Sequence, residues 1–183
     1  MEVKGIAVVT LPQYVKGKFP SRYNEWFNAL SEESKYIMKN PLAAQWYLMD
    51  HALIEPTRKI CDIFHGGSLI GAYDCGVFSA DYSLKGIYKV FVKIGSPSFI
   101  IKKAGRILPT YYNPSEMELV KLESDHADLR ISEFENWNPY IAERIRGWIT
   151  RAIEISGGKS VDVQVMESKE SGRTIRNIKI NWK

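Results

Sequence analysis

A chain of 183 residues, 45% of them hydrophobic, is long enough to fill one core, and with no linker, repeat or low-complexity tract residues 1–183 read as a single domain. Its net charge of +4 comes from 25 basic and 21 acidic residues interspersed along the chain, which favours solubility over a polyanion site, so nucleic acid is not an expected partner. Cys61 and Cys75 form neither a disulfide framework nor a zinc spacing, and no window approaches the ~18 uninterrupted apolar residues of a membrane span; a soluble protein of the reducing cytoplasm is expected.

Val3 to Thr10 is apolar and rich in β-branched residues, which predicts a first strand ending before Leu11-Pro12. Pro20-Ser21 opens a short helix with Tyr23, Trp26 or Phe27, and Leu30 on one face, and Ser31 with Glu32 and Glu33 caps the next. Asn40-Pro41 supplies a cap and a first helical proline, and Leu42, Trp46, Met49 and Leu53 follow at helical spacing; the expectation is a mostly buried helix that Pro56 kinks or ends before Thr57 to His65 continues. His65-Gly66-Gly67-Ser68 is a break. Beyond it Ile70, Tyr73, Val77 and Ala80 predict a helix that Gly71 and Gly76 weaken by up to ~1 kcal/mol each. Residues 86–95 fit a strand and a helix equally well, and periodicity leaves them open. Ser96-Pro97 starts a helix whose apolar face is Phe99 or Ile100, Ala104, Ile107 or Leu108, and Tyr111, ending around Pro109.

From Met117 the pattern becomes strand, strand, helix, strand, strand. Met117 to Glu123 and Ala127 to Phe134 form one hairpin, and Lys159 to Met166 and Arg173 to Trp182 form another. Val161, Val163 and Val165 alternate with polar residues, as do Ile178, Ile180 and Trp182. Between the hairpins, Asn138 to Ser156 carries Ile141, Ile145, Trp148 or Ile149, and Ala152 at helical spacing, a stripe that needs a sheet to cover it. The fold class is therefore α+β, a helical layer packed on an antiparallel sheet with a C-terminal ββαββ unit.

Motifs for chemistry are absent from the sequence. No GxxxxGK[ST] or GxGxxG follows a strand, and no HExxH or GxSxG occurs, so no residue is assigned a catalytic, cofactor-binding or metal-binding role. His51, His65 and His126 are isolated; Cys61 and His65 share one helical turn, but two ligands do not make a metal site. Lys102, Lys103 and Arg106, and farther on Arg144, Arg146 and Arg151, form the only local basic bias. Aromatic residues, 12% of the chain, hold more interest. Trp46, Tyr47, Tyr111, Tyr112 and Trp148, together with His51, would suit a small apolar ligand, whereas the plainer reading is that the rings fill a core.

Trp46-Tyr47 in a long helix, Gly66-Gly67, the glycine-interrupted helix around Gly76, and Ser96-Pro97 opening a helix that closes on Tyr111-Tyr112 form an ordered set of signals. The set continues with Gly147-Trp148 and with Ile180-Asn181-Trp182 in the ββαββ end. It resembles a bacterial family of proteins of about this length, itself similar in outline to the haem nitric-oxide-binding domains, the 4-vinyl-reductase-like domains and the TRAPP vesicle-tethering subunits. The resemblance implies helices packed on a four-stranded antiparallel sheet with an apolar pocket between them. It does not carry over a cofactor: the YxSxR signature of haem-binding members is missing, and the cysteine and histidine groups of some vinyl-reductase-like domains have no counterpart.

Three readings remain. A non-enzymatic ligand-binding or sensory domain would hide an apolar cavity bordered by Trp46, Tyr47, Tyr111 and Trp148. An enzyme acting on a small apolar substrate would gather titratable groups such as Asp50, His51 and Glu55 around a cleft. An assembly subunit, in a homodimer or with another protein, would expose a large apolar helical face.

Overall fold

The computed structural model describes residues 1–85, 96–170 and 173–183; residues 86–95, whose conformation the sequence left open, and 171–172 lie outside them. The N-terminal run is the first departure from expectation. Only Glu2–Lys4 is a strand (β1), and Gly5–Val8 (α1) and Thr10–Lys18 (α2) are helices. Residues 7–12 are all buried, as are Tyr14 and Val15, so this stretch sits inside the core on most sides, and its packing there outweighs the β preference of valine and isoleucine. Pro12 stands in the first turn of α2, where its missing N–H forfeits no helical bond.

A 3-10 turn at Pro20–Arg22 leads into Tyr23–Asn28 (α3), and Ser31 caps Glu32–Lys39 (α4) by accepting from the backbone N–H of Ser34. The long helix expected from Asn40-Pro41 does not form. Leu42 is exposed, and Trp46–Leu48 is a strand (β2) antiparallel to β1, with Val3 opposite Tyr47 and Lys4 opposite Trp46. The cause lies in the tight seat at Gly5. Its N–H donates to the Gln45 carbonyl at 2.7 Å, and a Cβ there would lie 1.9 Å from the Leu42 carbonyl oxygen, so the 42–45 turn is pressed onto the start of α1. Asp50–Ile54 then forms a wide π turn before Glu55–His65 (α5). Pro56 falls in the first turn of α5, and the widened turn ahead of it makes room for the proline ring.

Gly66, at φ 59°, closes α5 in the left-handed conformation, and Ile70–Lys85 (α6) follows. Ser96 caps Pro97–Tyr111 (α7), which continues through Pro109 instead of ending there, held by burial of Leu108 and Tyr111 on either side of the proline. Tyr112–Asn113 (β3) then pairs with β1, giving a small sheet in the order β2-β1-β3.

The C-terminal half follows the expected order: Met117–Leu122 (β4), His126–Ile131 (β5), Pro139–Ile155 (α8), Asp162–Glu170 (β6) and Arg173–Asn181 (β7). The strands form an antiparallel sheet, β4-β5-β7-β6, so the protein is an α+β fold with its helical layer on this sheet. The central strands bury Ala127, Leu129, Ile131, Ile178 and Ile180, and Ile141, Ile145, Ile149 and Ile153 of α8 share their core. α8 is also covered on a second side, by α6. A Cβ on Gly76 would lie 2.1 Å from the Arg144 carbonyl oxygen, and one on Gly147 would lie 2.2 Å from that of Tyr73, so the two helices cross backbone to backbone through paired glycines. These glycines set the approach of the helices, which outweighs the weakening expected of Gly76.

Candidate functional site

Where α6, α7 and α8 meet the larger sheet, packing leaves a cavity of about 70 Å³. Ile100, Ile101, Ala104 and Leu108 of α7, Ile145, Ile149 and Ile153 of α8, and Leu129 and Ile180 of the sheet make most of its wall apolar. The polar groups are few: Ser79, Tyr111, Tyr112, Arg144 and Trp148. Tyr111 and Trp148 meet edge to face, with centroids 5.9 Å apart, and Tyr111 leans on Tyr112 at 6.4 Å.

Arg144 is the outlier. It is 2% exposed, and its Nη1 donates to Thr57 Oγ1 at 3.3 Å. The guanidinium also lies near the Tyr112 hydroxyl and the Cys75 thiol, close enough to act on both electrostatically. Burial raises the Tyr112 phenol above its ordinary range, and it pushes the Cys75 thiol up to about 12, against the opposing pull of Arg144. Both groups therefore stay neutral at physiological pH. Nε of Arg144 has no acceptor among the described residues, and neither does the buried indole Nε1 of Trp148 one turn along α8.

Three of the six residues expected at a ligand site thus come together at the cavity: Tyr111, Tyr112 and Trp148. The others do not. Trp46 and Tyr47 lie on β2, not on a helix, and the pairing with β1 holds them away from the cavity. Lys4 Nζ sits 4.6 Å from the Trp46 ring, and the Tyr47 hydroxyl accepts from the Leu42 N–H at 2.8 Å. His51 lies in the π turn, its side chain 41% exposed and its Nδ1 3.9 Å from Glu55 Oε2.

Of the residues of the enzyme reading, His51 and Glu55 lie together, but away from the cavity, and Asp50 turns elsewhere. Glu55 accepts from Ser31 N and Oγ and from Ser34 Oγ at 2.6 to 2.7 Å, joining α4 to α5. Burial alone would raise its carboxyl, but these bonds outweigh it and hold the group below the usual carboxylate range. Asp50 instead accepts from Asn136 Nδ2 at 3.0 Å. Among the described residues no three of His, Cys, Asp and Glu gather where they could hold a metal, and no helix is long and apolar enough to cross a membrane.

Sequence reasoning missed Arg144, grouping it with Arg146 and Arg151 as a surface bias. Those two are paired at the surface, Arg146 with Glu143 and Arg151 with Asp81 and Glu154. A signal was present: Arg144 falls three residues after Ile141 and four before Trp148, on the apolar stripe itself.

No family model matches the chain, and no curated protein sequence does. In fold it is similar to H-NOX proteins. The Fe(II) unliganded H-NOX protein of K. algicida superposes with a TM-score of 0.73 and 10% identity, over 98% of this chain and 96% of that one. The S. oneidensis H-NOX protein in its Fe(II)NO state gives 0.71 and 14%, over 98% and 99%, and a single-site mutant of the T. Tengcongensis H-NOX gives 0.69 and 10%, over 98% and 97%. Haem is a feature of the H-NOX family, and the residues here do not fit it. The cavity, at about 70 Å³, is far below the ~300 Å³ at which pockets begin to take even drug-sized ligands. Among the described residues, its lining offers no imidazole and no thiol. Besides the exposed His51, His65 Nε2 lies 3.4 Å from the Tyr14 hydroxyl, and His126 Nδ1 lies 2.8 Å from Asn181 Oδ1.

Proposed function

We propose that this chain is a non-enzymatic small-molecule-binding or sensory domain whose ligand occupies the cavity between the helices and the sheet, with Tyr111, Tyr112 and Trp148 at the site. The cavity carries this reading. Protein interiors are close-packed and voids larger than a water molecule are few, whereas this one has room for several and is walled mostly by aliphatic side chains. The fold supports it: the S. oneidensis H-NOX protein places NO on Fe(II) in the same overall architecture. The small ligand is the part of that comparison carried over here, without the haem.

Native mass spectrometry of protein purified from its source tests the proposal. A small non-covalent adduct is expected in the wild type and not in Ala104→Leu, which fills the cavity from α7. Protein at the bare chain mass, with no member of a panel of small apolar molecules and their acids raising its melting temperature, would refute it.

A further inference from the structure

Arg144 carries a positive charge in the wall of an apolar cavity, and no described carboxylate pairs with it. Uncompensated buried charge is unfavourable, and native proteins ordinarily pair it or neutralise it. Thr57 accepts one guanidinium hydrogen bond, and the Tyr112 hydroxyl and Cys75 thiol lie nearby, but all three groups are neutral, so none answers its charge. Two buried donors are left over, Arg144 Nε and Trp148 Nε1, placed four residues apart on α8 and therefore on the same face. What is missing is an acceptor with negative charge.

We propose that the ligand is a small monocarboxylate, its carboxylate on Arg144 and the indole N–H of Trp148, its short hydrocarbon tail among Ile100, Ile101 and Ile149. This rests on the reading of the cavity as a ligand site and names the class of molecule bound there. A guanidinium matches a carboxylate in plane and charge, and such charge-assisted bonds are the strong ones. The tail follows from the aliphatic wall, and the length follows from the volume. At ~10–15 Å³ per water-sized position, about 70 Å³ holds roughly five to seven heavy atoms, which suits an acid of three to five carbons.

Isothermal titration calorimetry of the full chain against the sodium salts of acetic to hexanoic acid, with the primary alcohols of the same lengths, tests the inference. The expected result is one saturable site with an affinity maximum between propionate and pentanoate, and alcohols at least ~10-fold weaker. Arg144→Met, similar in length but uncharged, should remove acid binding and spare that of the alcohols. Trp148→Phe keeps an aromatic wall while deleting the donor, and should weaken the acids several-fold; it serves as the test should Arg144→Met not fold. Alcohols binding as tightly as acids would overturn the carboxylate assignment and leave the cavity a ligand site. Acetate binding as tightly as butanoate would overturn the role of the tail. Binding of neither series at millimolar concentration would sink both this inference and the ligand-binding reading beneath it.

Discussion

Gly147→Ala tests the helix crossing on which the cavity depends. The new Cβ would lie 2.2 Å from the Tyr73 carbonyl oxygen, about 1.2 Å short of the 3.4 Å at which ordinary contact begins. Both atoms belong to backbone or its first side-chain carbon, so neither can swing aside and α6 and α8 must part. Overpacking of this kind is unfavourable by ~1–3 kcal/mol, the upper end applying where backbone meets backbone, and alanine returns ~1 kcal/mol of helix propensity over glycine. The net expectation is a loss of about 2 kcal/mol. With a urea slope of ~2 kcal/mol/M, the unfolding midpoint should fall by about 1 M. Gly17→Ala is the built-in control: it is helical, exposed and has nothing within 4 Å of its would-be Cβ, so it should raise the midpoint through propensity alone. Gly76→Ala should behave like Gly147→Ala, and the double variant should lose less than the sum, because one separation of the helices relieves both clashes. If Gly147→Ala stabilised the protein as Gly17→Ala is expected to, the close crossing would be refuted.

Ile145→Ala should destabilise by ~2–5 kcal/mol in the same urea assay, since Ile145 is 4% exposed between α8 and the sheet core; a loss near zero would contradict that placement. Glu55 has its carboxyl held below the ordinary value, so its contribution is present above an unfolded-state value near 4.5 and is lost as pH falls through the lower folded value. Urea midpoints of wild type and Glu55→Gln should therefore differ most above that range and converge as the solution is acidified through it. The Cys75 thiol, pushed up to about 12 by burial, and the Cys61 thiol, pushed up to about 11, should resist iodoacetamide at pH 8 in the folded protein. Both should alkylate after urea unfolding, as mass spectrometry would show.

The C-terminal unit was legible because each of its segments needs only one kind of pattern. Strands β5 and β7 alternate buried and less buried residues, and α8 carries isoleucines at helical spacing with an asparagine cap before Pro139. The N-terminal half misled for two physical reasons. Val3 to Thr10 has the composition of a strand, but Ala7 to Thr10 are buried without a break, as in a segment enclosed on most sides, and tertiary packing overrode the local preference. At Asn40-Pro41 the local signals for a helix start were sound, but Asn40 ends α4 and the next residues fold onto Gly5, so that β2 can pair with β1. A contact between positions some forty residues apart left no mark on the local pattern. That Tyr111, Tyr112 and Trp148 border the cavity was foreseeable because large rings on the apolar faces of α7 and α8 point into the space between helices and sheet. Trp46 and Tyr47 were misplaced along with the helix that was to hold them.

Arg144 shows why the site was harder to see than the scaffold. In sequence an arginine among arginines reads as solvent-facing, and three basic residues within eight positions on one helix support that view. α8 is packed on two sides, by the sheet and by α6, and Gly76 and Gly147 bring α6 close enough to close over residue 144. The glycines and the arginine belong together: the close crossing takes the guanidinium out of water, and on the proposed reading that loss of water would favour an anion beside it. The fold is similar to that of H-NOX proteins, but the chemistry of the cavity is set by this chain's own side chains, Arg144 among them. Any change that parts α6 from α8 should therefore weaken carboxylate binding as well as stability, by letting water compete for the guanidinium, even where no lining residue has been altered.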